Sequence, residues 1–443
     1  MGLIDPPDHR PVDTLLAPFR RFASVEGSGG IVLLFCTAVA LLWANLAPAS
    51  YEGFWHTPID LRLGSVTLAN SLAHWINDGL MAIFFFLVGL EIKREVLVGE
   101  LVSLKKAALP LMAALGGMVV PALIYVAFNG TTGPTARGWG IPMATDIAFA
   151  LGVLALLGKR VPAGLVVFLA ALAIADDIGA VLVIAIFYTA ELSLSWLAIS
   201  LAAVLVAVIV NALGARSPIT YGIIGVVAWL ALLKSGVHAT IAGVMMAMAI
   251  PARVRIDVHG FSERARGLID RLRTARNDET NHFATPEQME LMESLESSVE
   301  MAMTPLQRFE HFTTRWVGYG IMPVFALANA GVVIGGDSLA HLTGPIGLGI
   351  IGGLVLGKQI GITLFAWLSV KAGIAVLPTG VTWRHVYGAA WLGGIGFTMS
   401  LFVATLAFGE SSELETTKIG ILVASAVAGT VGYLLLKGVG SRE

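Results

Sequence analysis

The sequence predicts an all-α polytopic membrane protein with about twelve transmembrane helices, inverted repeats with two broken helices, and a small periplasmic β-hairpin. Three observations carry that prediction. Of the 443 residues, 56% are hydrophobic and only 13% are charged, with a mean hydropathy of +0.81. A soluble chain carries roughly a quarter of its residues charged. Apolar runs of about 20 residues, the length that crosses the hydrocarbon layer, recur along the whole chain. The 50 glycines suit close helix packing and interrupted helices in lipid. The net charge of −2 leaves no basic footprint for nucleic acid. The single cysteine, Cys36, lies in the first apolar run and forms no internal disulfide.

Taken in order, the expected spans are 29–47, 70–92, 107–128, 139–157, 162–188, 194–214, 218–233, 237–251, 317–334, 343–369, 385–408 and 416–437. The organisation that follows is an N-terminal segment at 1–28, eight spans over 29–251, a long charged loop at 252–316, four spans over 317–437 and a tail at 438–443. The first segment is polar and mixed in charge, without the pattern of a cleaved signal. Alternate loops hold the lysines and arginines: Arg10, Arg20 and Arg21, then Arg94, Lys105 and Lys106, then Lys159 and Arg160, Arg216, the 252–316 segment, and Lys371 with Arg384. The opposite loops carry few, with Glu191, Asp337, Glu410, Glu413 and Glu415 on that side. Positive loops stay inside, so both termini face the cytoplasm.

Two pieces lie outside the bilayer. Residues 58–69 alternate apolar and polar around Gly64, which predicts a β-hairpin on the outer face. A lone hairpin is marginally stable, and pairing with a second copy of the chain is one way to support it. The 252–316 loop is basic first (Arg253, Arg255, Arg264, Arg266, Arg271, Arg273, Arg276) and acidic afterwards (Asp278, Glu279, Glu287, Glu290, Glu293, Glu296, Glu300). Residues 285–301 read as a helix begun by Thr285 and Pro286, inside an otherwise solvated loop.

Ionisable groups at membrane depth are costly and mark function. The sequence places few there. Asp176 and Asp177 sit mid-span, Asp146 and Lys358 lie in two other spans, Asp78 is near the outer end of the second span and Glu91 near its inner end. Two adjacent carboxylates in a low dielectric do not both stay ionised cheaply, and their protons belong to the pair. Such a pair holds protons in acid and a small hard cation in alkali, through the same oxygens. Thr145 adds a hydroxyl beside them. The bland alternative is an ion pair of Lys358 with one aspartate that only joins helices.

Pro142, Thr145 and Gly152 interrupt the span at 139–157, and Gly393, Gly394 and Gly396 interrupt that at 385–408. Irregular backbone survives at that depth only beside protein or a water-filled cavity. One interrupted span in each half points to an inverted-repeat transporter. Half-helix ends bring partial charges to mid-membrane. Asp146 is suited to the positive ends and Lys358 to the negative ones.

At these residues the sequence resembles the NhaA family of bacterial sodium/proton antiporters, itself one of the families built on an inverted repeat. The matching stretches are His74-Trp-Ile-Asn-Asp-Gly-Leu-Met81, Leu87-Val-Gly-Leu-Glu-Ile-Lys-Arg-Glu95, Ala144-Thr-Asp-Ile-Ala-Phe-Ala-Leu-Gly152, Ala173-Ile-Ala-Asp-Asp-Ile-Gly179, Lys234-Ser-Gly-Val-His-Ala-Thr240, Phe325-Ala-Leu-Ala-Asn-Ala-Gly331 and Gly394-Ile-Gly-Phe-Thr-Met-Ser400. They run in order over nearly the whole membrane region. The resemblance implies twelve spans with the fourth and eleventh broken and crossing. It implies that Asp177 binds Na⁺ or Li⁺ with Asp176 and Thr145, and that Asp176 pairs with Lys358. It implies electrogenic exchange of two protons per cation, switched on by alkaline pH, in the inner membrane. The transported ions are the only small partners implied, with no cofactor and no enzymatic reaction. It implies a homodimer joined through the outer hairpin. Glu91, Arg94 and Glu95 match one part of the family's pH-sensing cluster, Arg308, Glu310 and His311 the rest, and His238 an outer-side histidine. The 252–316 loop is longer than is usual for the family, and Thr314 stands where some members carry a histidine. Both departures bear on the pH profile.

Other classes fit less well. An intramembrane aspartyl protease brings its two aspartates from different helices, whereas Asp176 and Asp177 are neighbours about 100° apart on one. A cation channel on this scaffold has no use for Lys358 beside the carboxylates. An exchanger of other selectivity keeps the same residues.

Overall fold

The computed structural model describes residues 28–63, 66–189, 192–275, 284–335, 342–409 and 411–439. The N-terminal segment with Arg10, Arg20 and Arg21, the hairpin turn at Gly64, and Arg276, Asp278 and Glu279 of the long loop lie outside the described residues. So do the loop residues Glu191, Asp337 and Glu410, and the tail from residue 440.

The chain is mostly helical, with one two-stranded sheet. The helices are α1 (Ser28–Leu46), α2 (Pro48–Trp55), α3 (Met81–Val98), α4 (Leu104–Asn129), α5 (Ile147–Ala155), α6 (Ala163–Phe187), α7 (Leu194–Ala212), α8 (Pro218–Leu233) and α9 (Ile241–Ala249). They continue with α10 (Val258–Thr274), α11 (Pro286–Ala302), α12 (Pro305–Trp316), α13 (Met322–Asn329), α14 (Pro345–Gly352), α15 (Lys358–Lys371), α16 (Trp383–Gly393), α17 (Phe397–Phe408) and α18 (Ser412–Val439). Among the described residues, 7 helical stretches are long and apolar enough to cross a membrane, or 8 if the bent pair α16 and α17 counts as one. The remaining apolar segments are short or interrupted. Helix α8 has 16 residues, α9 has 9, and α3 and α13 each follow a π-turn, at Ile76–Leu80 and Val317–Ile321. Large apolar side chains point outward, Phe35 at 67% exposure and Ile223 at 63%. In a chain this poor in charge, that surface faces lipid rather than water. The protein is a multi-pass membrane protein.

Strands β1 (Pro58–Leu63) and β2 (Val66–Ser71) pair antiparallel, with Leu63 opposite Val66. That register leaves two residues between the strands. The expected hairpin is present and runs two residues further than its pattern.

Glycine allows close helix contact. Helix α4 packs along α15. A Cβ placed on Gly116 meets the Gly361 carbonyl oxygen, and one on Gly361 meets that of Gly116. Small residues allow this backbone-to-backbone approach, which in lipid replaces the hydrophobic driving force. Pro110 and Pro121 stand inside α4, and Gly357 fits against the Pro121 backbone.

The long charged loop carries more regular structure than the single helix expected at 285–301. Both halves are helices, α10 and α11, packed on each other. Asp257 caps α10 through the Gly260 N–H (2.8 Å), and Thr285 with Gln288 forms a capping box on α11, where the sequence places the helix start. The Arg255 N–H donates to the Met301 carbonyl (3.0 Å), and the Leu306 N–H to that of Pro251 (3.1 Å). These bonds tie both ends of the insertion to the α9 and α12 ends.

Candidate functional site

Two interrupted helices meet where the polar side chains gather. A 3₁₀ stretch, Pro134–Met143, leads through extended residues 144–146 into α5. Helices α16 and α17 are separated by residues 394–396 and bent by 43°. The breaks bond to each other. The Asp146 N–H donates to the Ile395 carbonyl (2.7 Å), Thr145 Oγ1 donates to the Gly393 carbonyl (2.8 Å), and Ser400 Oγ donates to the Ile141 carbonyl (2.9 Å). Each break thereby supplies partners for backbone groups that the other leaves unpaired.

Asp146 joins the two helix starts. Its Oδ1 caps α5 through the Phe149 N–H (3.0 Å). Its Oδ2 accepts from the Thr398 N–H (3.1 Å) in the first turn of α17, and from the Thr398 hydroxyl. One carboxylate therefore faces two positive helix ends. Thr145, Asp146, Asp176, Asp177, Lys358 and Thr398 are all at most 1% exposed.

Asp176 and Asp177 lie in the middle of α6. Lys358 begins α15, directly after a π-turn at Gly353–Gly357. Its ammonium donates to Asp176 Oδ2 (2.8 Å) and to Thr145 Oγ1 (2.8 Å). The ammonium thus selects one aspartate of the two. Asp176 Oδ1 and Asp177 Oδ2 are buried without a hydrogen-bond partner. Asp176 is the chain neighbour of Asp177, and the Lys358 ammonium is committed to Asp176. A buried oxygen so placed has two ways to be satisfied: a proton or a small cation. The sequence prediction thus finds Thr145, Asp146, Asp176, Asp177 and Lys358 together. Thr145 already donates once and accepts once, which leaves its hydroxyl one lone pair.

The residues assigned to pH sensing fall in separate places. Arg94 of α3 pairs with Glu310 of α12 and reaches Glu95 Oε1 (3.2 Å). Glu91, Arg94, Glu95 and Glu310 act on one another electrostatically. Arg308, two residues before Glu310, turns to Glu300 of α11 instead (2.5 Å). His311 is exposed. His238 lies elsewhere, bonded to the Tyr188 carbonyl (2.6 Å), and lines a cavity with Asp78, which pairs with His74 (2.9 Å). Burial pushes the Glu310 carboxyl above its ordinary value, Arg94 pulls it back, and Glu95 adds to the rise.

Sequence reasoning gave no role to Thr398 or Ser400. Both lie in the Gly394–Ser400 stretch, and hydroxyl residues directly after helix-breaking glycines were the available signal.

A family model described as Na⁺/H⁺ antiporter 1 matches residues 20–436. The chain is 54% identical over 429 residues to a protein of Oleidesulfovibrio alaskensis named Na⁺/H⁺ antiporter NhaA, covering 97% of this chain and 95% of that one. It is 51% identical to the protein of that name in Koribacter versatilis, covering 96% and 92%. It is 48% identical to that of Acidithiobacillus ferrooxidans, covering 95% and 97%. With the model matched over nearly its whole length, the chain belongs to the Na⁺/H⁺ antiporter 1 family.

Proposed function

We propose that this protein exchanges protons for Na⁺ or Li⁺ at Asp176 and Asp177, as a secondary transporter of the bacterial inner membrane. Membership of an antiporter family supports a transporter with sodium and protons as cargo, and this reading needs no cofactor. The observation that carries the residue assignment is the unequal partnering of two adjacent buried carboxylates. Lys358 engages Asp176 and leaves Asp177 Oδ2 with no partner. Asp177 is the primary cation ligand in this reading. Asp176 joins it when Lys358 withdraws, and Thr145 adds its hydroxyl. Cation binding displaces the protons of the pair, and protonation expels the cation. Two protons moving against one monovalent cation transfer one net charge, so the exchange is electrogenic. Differential binding to states open on opposite sides drives the cycle. Asp146 compensates the helix ends at the crossing.

The reading extends to the architecture: twelve spans in inverted repeats, both termini cytoplasmic, the hairpin periplasmic and joining two copies of the chain. The short and interrupted helices, the mutually bonded breaks and the loop charge asymmetry support it. Its test is an exchange assay in inside-out vesicles from cells lacking other sodium antiporters. The vesicles are energised to build a proton gradient, and Na⁺, Li⁺ or K⁺ is added between about pH 6 and 9, the range in which histidines and shifted carboxyls titrate. Collapse of the gradient by Na⁺ and Li⁺ is the expected result. A response to K⁺ alone moves the chain to another selectivity, and voltage-driven flux without protons makes it a channel.

Alkaline activation is assigned to the cluster of Glu91, Arg94, Glu95 and Glu310, with Arg308 and His311 beside it and His238 contributing from the hairpin side. The sign follows from Glu310. Its raised value keeps it protonated further up the pH scale, and as pH rises it ionises and pairs with Arg94. Glu310→Gln removes that step, so the pH of half-activity is expected to shift and its slope to flatten. Deleting residues 260–300 removes Glu300 from Arg308 and is expected to move the same midpoint. A profile unchanged by the deletion makes the insertion a passive linker.

A further inference from the structure

A cavity of 740 Å³ opens beside the hairpin, lined by Ser71, His74, Asp78 and His238 among others. Asn77 and Asn329 lie in its wall, 9% and 4% exposed. Their amides bond reciprocally. Asn77 Nδ2 donates to Asn329 Oδ1 (3.2 Å), and Asn329 Nδ2 donates to Asn77 Oδ1 (2.8 Å). Below them the interior is apolar. One and two turns on from Asn77 are Met81 at 0% and Phe85 at 1% exposure, and one turn back from Asn329 is Phe325 at 0%. Phe85 and Phe325 both pack on Phe402 of the broken helix pair, with ring centres 5.4 and 6.3 Å away. The amide pair therefore stands between a polar cavity and an apolar layer.

Its two halves are held differently. The Asn329 wall is clamped. Tyr51 donates its hydroxyl to the Leu327 and Ala328 carbonyls and accepts the Gly331 N–H (2.8, 3.0 and 3.1 Å). Asn45 holds the Val332 carbonyl and the Ile334 N–H (both 2.8 Å). Asn77 instead sits inside the π-turn Ile76–Leu80. Such turns break the regular helical ladder and recur at functional positions. Hydrogen bonds between membrane helices are weak enough to break and remake. Neutral amides leave no bare charge when they part, unlike an ion pair.

Resting on the exchange reading above, we propose that Asn77 and Asn329 gate the hairpin-side cavity. Paired, they close the way between the cavity and the carboxylates. When the π-turn shifts Asn77 away from the clamped wall, the way opens. The two amide oxygens are then free to face the passing ion, and carbonyl oxygens suit a hard cation.

The test uses the full chain in membranes, with Cys36→Ser to remove the native thiol. A cysteine at Ala326, 0% exposed and one turn below Asn329, reports opening through its reaction with a membrane-impermeant, cationic thiol reagent. Val333→Cys, in the cavity lining and 40% exposed, serves as the accessible control. Asn77→Ala or Asn329→Ala is expected to speed labelling of Ala326→Cys about tenfold, a population shift of one power of ten. The rise is expected from the hairpin face only, with Val333→Cys unchanged. Asn77→Gln, which keeps both amide functions, is expected to stay near the parent rate. Met81→Cys repeats the measurement from the other wall if Ala326→Cys does not fold. An unchanged rate, or an equal rise from both faces, overturns the gate and leaves the pair a packing contact. Exchange is assayed on the same vesicles. Loss of Na⁺ response in the parent protein would sink the exchange reading while the labelling rates still decide the gate.

Discussion

Asp177→Asn is expected to abolish the Na⁺ and Li⁺ response completely while leaving the protein folded. The side chain keeps its shape and loses a charge whose Oδ2 has no partner. Removing an unpaired buried charge relieves desolvation, so the thermal unfolding midpoint in detergent should hold or rise. Asp176→Asn separates activity from stability in the other direction. It strips Lys358 of the carboxylate 2.8 Å away and leaves an ammonium that is 0% exposed. Breaking a buried pair by removing one partner costs about 3–5 kcal/mol. That variant should lose both exchange and thermal stability, measured by size-exclusion chromatography after heating. Equal stability losses in the two variants would mean that Lys358 does not discriminate between the aspartates.

Gly361→Val, at the one glycine of α15, is expected to disrupt folding strongly. The added Cβ meets the Gly116 carbonyl oxygen and the Gly116 carbonyl carbon, both backbone atoms that cannot rotate away. Overpacking a core against side chains costs about 1–3 kcal/mol. Backbone against backbone leaves only separation of the two helices. Lys358 lies one turn before Gly361 on the same helix, so pushing α15 from α4 also draws its ammonium from Asp176. Exchange and thermal stability should fall together. Gly222→Ala and Gly267→Ala, where a Cβ meets nothing within 4 Å, are the tolerated controls. A Gly361→Val protein that melts like the parent would show that the two helices separate without cost.

The parts of the fold that were legible in the sequence are those where one physical rule acts alone. Continuous apolar length placed α4, α6 and α18, and strict alternation placed the hairpin. Thr285 followed by Pro286 placed the start of α11. The rarity of charge in apolar runs singled out Asp146, Asp176, Asp177 and Lys358 before any geometry. What was hidden depends on contacts between distant segments. Nothing local tells Lys358 to choose Asp176, since both aspartates are neighbours and the choice lies in the angle at which α15 passes α6. The π-turns at Ile76–Leu80 and Gly353–Gly357 have no composition of their own, because helix and π-turn share the same residues and differ by one hydrogen-bond step. Helix α10 reads as solvated because its charged residues are as many as its apolar ones, and its apolar stripe becomes meaningful only beside α11.

The order of the polar residues along the chain bears on how the protein is made. Thr145, Asp146 and Asp176 are synthesised before Gly393, Thr398 and Lys358, which complete their bonding. Synthesis and insertion proceed from the N-terminus, so the first half enters the bilayer with two carboxyl groups, Asp146 and Asp176, short of partners that do not yet exist. Until α15 and the α16–α17 pair arrive, those groups depend on protons, water or the insertion machinery. A chain truncated after the charged insertion is therefore a natural target for membrane quality control, and the second half acts as an intramolecular assembly factor for the first.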